Sequence, residues 1–187
     1  MRVIKHLISK VSFLKYRKKL SSLKNVDIMK KTKIHNRDKI IFGDYVYVGP
    51  ECEFMGAGGI EIGNNVIFGP KVSIWSENHN FRSRFMVPYD DELIAKPVII
   101  GDNVWCGYDV KITPGTKVGE GAIIGMGAVI RGEIPPCAIV IGNPGEIIGY
   151  RDKEIYDRIV SSKGYYYKLK RMGEIEAYKE RNFRSEL

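Results

Sequence analysis

Aliphatic residues recur at every sixth position from Ile100 to Ile134. One series falls on Ile100, Cys106, Ile112, Val118, Ile124 and Ile130; a second, four residues further on, falls on Val104, Val110, Thr116, Ala122, Ala128 and Ile134. Gly101, Gly107, Gly119 and Gly125 directly follow first-series residues. An α-helix repeats its apolar face about every 3.6 residues and a flat strand every 2, and neither yields a step of six with glycine at a fixed offset. Six is the step of short strands joined by turns and stacked into a parallel β-helix, three steps to a triangular coil. A sandwich of ordinary strands would not turn at every sixth residue.

The same step runs earlier in the chain. Phe42, Val48, Phe54 and Ile60 keep one register, and Ile62, Phe68 and Ile74 keep another, displaced by two. The period lapses from Trp75 to Pro97 and resumes at Val98 and Ile100. So long an interruption in so regular an object is an inserted loop, and long loops in compact domains are usually functional or disordered. Gly63-Asn64-Asn65 and Gly101-Asp102-Asn103 supply the residue types that tolerate strained turn angles. The pattern predicts a β-helix over residues 34–149 with the loop at 75–97. That is about five coils, a stack of ~24 Å at ~4.8 Å per coil.

The two ends read differently. Ile4, Leu7, Ile8, Val11 and Leu14 have helical spacing among basic residues. This predicts a helical cap over residues 1–33, covering the open end of the stack. Lys15, Arg17, Lys18 and Lys19 would also suit contact with an anionic membrane surface, and the two roles are compatible. The segment does not read as a signal peptide, because Lys5, His6 and Lys10 break its apolar run. Residues 150–187 read as a helical extension clamping the stack, with Ile155, Ile159, Tyr165, Tyr166 and Tyr167 as its apolar face and Gly164 and Gly173 as breaks.

Composition narrows the function. The net charge of +8 belongs to the ends: residues 1–33 carry 11 Lys/Arg against one acid, whereas residues 34–149 carry 9 against 14. An acidic repeat is not a nucleic-acid footprint, and no nucleic-acid partner is expected. No run approaches the ~20 apolar residues of a membrane span. Cys52 and Cys106 occupy small-aliphatic positions of the repeat, and Cys137 follows Pro135-Pro136. An odd number of cysteines, two of them on core positions, points to a reducing, cytoplasmic setting, close to the inner face of the membrane if the basic end touches lipid. No cysteine or histidine cluster has metal-ligand spacing, and no metal is expected.

The segment IGDNVWCGYDVKITPGTKVGEGAIIGMGAVI with the following IPPCAIVIGNP, together with GGIEIGNNVIFGPKVSIWSENHNF, resembles the hexapeptide-repeat acyltransferases. The likeness covers about residues 40–150 and is strongest to the galactoside and maltose acetyltransferases and to the O-acetyltransferases of bacterial surface polysaccharides. It implies a left-handed β-helix, although parallel crossovers ordinarily take the other hand. It also implies a homotrimer, acetyl-CoA as co-substrate, and active sites in clefts between subunits.

Acetyl transfer from a thioester to a hydroxyl requires removal of the alcohol's proton during attack, a task suited to a neutral imidazole. Of the three histidines, only His79 lies where the repeat breaks, and it matches the family's catalytic histidine. His6 and His35 precede the hexad series that starts at Phe42 and read as structural or solvent-exposed. Asp90, Asp91, Glu92, Glu77 or a backbone carbonyl could orient the ring, and the sequence does not choose among them. A backbone N–H facing His79 would hold the oxyanion. The resemblance further implies that Asn78, Asp90 and Trp105 meet the acceptor. Trp105, Gly107, Tyr108, Gly125, Met126, Arg131, Pro144 and Arg151 would meet the cofactor, the two arginines as phosphate partners.

There are departures from the family pattern. Glu146 follows the Gly142-Asn143-Pro144 turn where relatives carry a cation, and Met126 replaces a small residue. The coil before the histidine reads Met55-Gly56-Ala57-Gly58-Gly59 and lacks the sugar-binding Asn of the galactoside branch, which argues against a simple galactoside acceptor. The reading is therefore an O-acetyltransferase acting on a sugar hydroxyl of a surface glycan or its precursor. A xenobiotic acceptor, suggested by Tyr150-Arg151 after the turn, and an amino sugar keep the same chemistry. A zinc lyase on this fold would need three histidines in the repeat, and an inactive scaffold would not interrupt its repeat at a histidine.

Overall fold

Two inward positions per hexad leave room for only a two- or three-residue strand before the chain must turn, and three turns return it above its starting point. The computed structural model describes residues 25–175. It is a three-sided parallel β-helix. The first face stacks Val26–Ile28, Val46–Val48, Ile67–Phe68, Trp105–Cys106, Ile123–Ile124 and Ala138–Ile141. The second stacks Lys33–His35, Glu53–Met55, Ser73–Trp75, Lys111–Ile112 and Val129–Ile130; the third stacks Ile40–Phe42, Ile60–Ile62, Val98–Ile100, Lys117–Val118 and Glu133–Ile134. Six rungs on one face and five on the others give the height expected from the repeat. The stack begins at Val26 rather than Ile34: Val26–Ile28 and Lys33–His35 are strands of the first coil, so the cap expected over residues 1–33 does not extend to residues 26–33. The helix expected before them lies outside the described residues.

Both hexad series are buried. Phe54, Phe68, Ile74, Ile112, Ile124 and Val48 are among the wholly enclosed side chains. Thr116, the polar member of its series, is buried with its hydroxyl donating to the Thr113 carbonyl at 2.7 Å, so it costs no unmade hydrogen bond. Cys52 and Cys106 are enclosed in the core as read, and burial pushes the Cys52 thiol up to about 11. All three cysteines are free.

The structure explains the shift of register. Cross-coil pairing aligns Phe42 with Ile62 and Ile100, Val48 with Phe68 and Cys106, and Phe54 with Ile74 and Ile112. From third face to first, and from first to second, the step is six residues at each of these rungs. From second to third it varies: eight from Phe54 to Ile62, twenty-six from Ile74 to Ile100, six from Ile112 to Val118 and four from Ile130 to Ile134. All irregularity therefore collects at one corner. There the eight-residue step is closed by Gly59 N–H donating to the Gly56 carbonyl, and by buried Ser76, whose hydroxyl accepts from Gly58 N–H and donates to the Met55 carbonyl.

At the far end the chain reverses after Gly142, and Glu146–Tyr150 pairs antiparallel with Ala138–Ile141. The helices α1 (Lys153–Ser161) and α2 (Tyr166–Met172) follow. They form a strap along the side of the stack rather than a lid on its end. Tyr156 of α1 accepts from Asn103 Nδ2 at 3.0 Å and donates to Glu120 Oε1 at 2.9 Å. Tyr167 of α2 reaches the first coil, meeting Tyr47 edge-on at 5.5 Å and donating to Asp27, which Arg171 also pairs. Gly121 lets the strap approach: its φ is +70°, and a Cβ there would stand 2.7 Å from the Tyr156 ring. Gly121→Ala is expected to cost about 1–3 kcal/mol, combining left-handed strain with that clash. Gly127→Ala, at φ +72° with open space around it, is the control for strain alone. A smaller shift of the denaturation midpoint at Gly127 than at Gly121 checks the assignment.

Candidate active site

The twenty-six-residue step carries an arm. Glu77–His79 runs outward and Leu93–Ala95 returns antiparallel, with His79 opposite Leu93 and Asn78 opposite Ile94. Asn80 N–H donates to the Glu92 carbonyl at 3.1 Å, closing the hairpin one residue beyond the histidine. Asn80 Nδ2 then donates to Asp90 Oδ2 at 2.8 Å, and Glu92 N–H to Asp90 Oδ1 at 3.0 Å. Desolvation opposes the charge on Asp90, but hydrogen bonds from Ser83, the Glu92 N–H and Asn80 outweigh it and hold this carboxyl below its ordinary range. Asp90 is thus committed to bracing the loop.

His79 is exposed, and its imidazole lies nearly parallel to the ring of Tyr89, with centroids 4.0 Å apart and planes 15° apart. Among the described residues no carboxylate is hydrogen-bonded to the ring; the Asn78 carboxamide is engaged by the His79 backbone N–H at 2.9 Å. At the foot of the arm is a groove of about 330 Å³ lined by Ser73, Trp75, Glu77, Asn78, Lys111 and Thr113. Trp75 donates its indole N–H to Ser73 Oγ at 3.0 Å, and Glu77 Oε2 is buried without a partner.

The residues assigned to the cofactor are divided among the corners. Gly107-Tyr108, Gly125-Met126 and Asn143-Pro144 form a ladder where the first face turns into the second. Two of these glycines are required by stacking alone: a Cβ on Gly107 would stand 2.9 Å from Met126 N, and one on Gly125 would stand 2.8 Å from the Ile141 side chain. Tyr108 and Met126 are exposed side by side on the edge this ladder forms, and Lys71 places its amine 5.3 Å from the centre of the Tyr108 ring. Trp105 is half exposed on the first face, where with Tyr156, Ile159 and Tyr166 it lines a second groove of about 270 Å³ beneath the strap. Within one chain it does not stand beside His79. Arg131 is exposed at the same corner as the arm, two coils further on. Arg151 lies under the strap and donates through Nε to the Gly121 carbonyl at 2.6 Å. The two arginines therefore sit on different corners, and neither belongs to the Tyr108–Met126 edge.

Sequence reasoning missed Tyr89, Trp75 and Lys71. Pairing over the interrupted coil puts Lys71 in register with Asp109, 38 residues on, which marks it as an edge residue once the coil length is known. Tyr89 has no such signal, because the arm has no period.

A model of the bacterial transferase hexapeptide family, six repeats long, matches residues 97–132. The galactoside O-acetyltransferase of Escherichia coli K12 is 34% identical over 109 residues, covering 58% of this chain and 49% of its own length. A maltose O-acetyltransferase structure from Clostridium difficile 630 superposes with a TM-score of 0.63 at 31% identity, over 70% of this chain and 68% of that one. A hexapeptide-repeat acetyltransferase from Vibrio cholerae, solved with acetyl-CoA, superposes with a TM-score of 0.62 at 25% identity over 67% of each chain. The chain spans about half the length of the curated relatives it matches. These solved neighbours are left-handed β-helices, and the superposition gives this stack the same hand.

Proposed function

This chain belongs to the hexapeptide-repeat acetyltransferases, and from that premise we propose that it carries the acetyl group of acetyl-CoA to a sugar hydroxyl of a surface glycan or its precursor, with His79 as general base. The observation that carries the reading is an imidazole stacked by its face on Tyr89 with, among the described residues, no hydrogen bond to its ring nitrogens, which leaves them for proton transfer. As the acceptor hydroxyl attacks the thioester carbonyl, His79 takes its proton. Collapse of the tetrahedral intermediate breaks the carbon–sulfur bond, and the imidazolium returns the proton to the departing thiolate, giving acetyl ester and CoA thiol. Lys111 and the polar groups of Ser73, Asn78 and Thr113 line the groove at the arm's foot and suit a hydroxyl-rich acceptor.

The same geometry favours a homotrimer. Tyr108 and Met126 line one edge of the second face and His79 rises from the other, separated by the flat run from Asp109 to Thr113, about 13 Å at ~3.3 Å per residue. One chain cannot press a cofactor lying along the first edge against its own histidine, whereas the edge of a neighbouring copy can lie against the arm. The arm's tip carries Phe85 and Val87 at 91% and 93% exposure, apolar surface that a second copy would cover.

The test is a CoA-release assay. Acetyl-CoA is supplied with a panel of glycans, amino sugars and antibiotics, and the free thiol is followed with a colorimetric reagent. Acceptor-dependent release with a sugar that has only hydroxyls is the expected result, and release confined to amines or antibiotics overturns the acceptor assignment. Light scattering should give three copies of the 21.2 kDa chain. A monomer retaining full turnover would sink the shared cleft.

A further inference from the structure

We infer that Tyr89 is the positioning residue for His79, so that an aromatic face rather than a carboxylate sets the plane of the base. The inference rests on the general-base reading above. A histidine that takes a proton at one ring nitrogen must keep its plane and tilt fixed, and the usual device is a hydrogen bond to the other nitrogen. Here, among the described residues, no acid is hydrogen-bonded to the ring. Asp90 is held by Asn80 and the Glu92 N–H, and the Glu77 carboxylate is turned into the groove with one oxygen buried and unpartnered. Against the imidazole is a ring at 4.0 Å and 15°.

The stack is locked by the next residue on each side. His79 is followed by Asn80, and Tyr89 by Asp90; the rings face one another, and the following amide and carboxylate are joined at 2.8 Å. The Asn80 N–H bond to Glu92 and the Asp90 bond from the Glu92 N–H tie the same two strand ends together again. Two consecutive residues on the outgoing leg of the arm thus grip two consecutive residues on its returning leg, and the imidazole is clamped by its face with both nitrogens left to the reaction. A single carboxylate partner would have occupied one of them. Misplacing a reacting group by about 1 Å costs on the order of 100-fold in rate.

The test compares Tyr89→Phe, Tyr89→Leu and Tyr89→Ala in turnover and in proton NMR, with His79→Asn used to assign the His79 ring signals among those of three histidines. In the parent protein those ring protons should be shifted upfield by the overlying Tyr89 ring. Tyr89→Phe should keep both the shift and the kcat within about twofold. Tyr89→Leu and Tyr89→Ala should lose the shift and about 10- to 100-fold in kcat, with the KM for acetyl-CoA within about twofold. Turnover lost in His79→Ala but unchanged in Tyr89→Ala overturns the positioning role alone. Turnover unchanged in both overturns the general base and this inference with it, while the NMR shift still reports the stack. A raised acceptor KM at constant kcat would make Tyr89 a sugar platform and also overturn it, as would a Tyr89→Phe variant as slow as Tyr89→Ala.

Discussion

Replacing His79 by alanine should lower turnover at least about 100-fold, the usual contribution of a general base, while leaving the fold intact. The two halves of this expectation have separate grounds. The imidazole is exposed, and among the described residues its ring partner is Tyr89, so its removal opens no cavity in the core. The hydrogen bonds of the arm are backbone bonds or involve the side chains of Asn78, Asn80, Ser83 and Asp90, and alanine keeps its own N–H for the Asn78 carboxamide. Circular dichroism and the thermal midpoint should therefore stay close to the parent protein as kcat falls. Equal turnover in the variant would remove His79 from the mechanism and leave the stack without its proposed chemistry.

Phe68→Ala should be the most damaging single truncation of the core, costing about 3–5 kcal/mol. Phe68 is wholly enclosed and meets Phe54 edge-to-face at 5.4 Å and 71°, and Phe54 in turn lies 6.5 Å from Phe42. The upper part of the range is expected because the walls cannot close on the cavity. Every rung around Phe68 is bonded to the coils on either side, for example Gly69 N–H to the Cys106 carbonyl at 2.8 Å and Gly49 N–H to the Phe68 carbonyl at 2.9 Å. For a chain of this size the thermal midpoint should fall by roughly 6–20 °C. Phe68→Leu, which leaves most of the volume filled, should recover a large part of the loss. A Phe68→Ala midpoint within a degree of the parent would mean that the prism collapses inward more easily than its hydrogen-bonded walls suggest.

The core was legible because the hexad carries it twice, in an aliphatic series and in glycines set after it. Ile100, Cys106, Ile112 and their successors are inward for the reason the period implies. The offset between the Phe54 and Ile74 series was visible in the sequence, but its cause was not, since a shift of two could have arisen at any corner. The start of the stack was hidden because Val26-Asp27-Ile28 and Lys33-Ile34-His35 sit in the most basic part of the chain and lack the hexad glycine. Placing site residues required knowing which corner each occupies. Arg131 and Arg151 were equivalent as cations, yet one flanks the arm's corner and the other holds the Gly121 carbonyl under the strap. The Tyr89–His79 stack joins two aperiodic residues ten apart, a relation that only folding of the arm creates.

The corner that absorbs every change of step has an evolutionary consequence. Ile62 stays paired with Ile100, Phe68 with Cys106 and Ile74 with Ile112 whatever number of residues intervenes between Trp75 and Val98. Insertions, deletions and wholesale grafts at that junction leave the interlocking interior untouched. Selection can thus remodel the arm, and with it the proposed acceptor site, while the spindle beneath it and the edge proposed for the acyl donor are inherited unaltered.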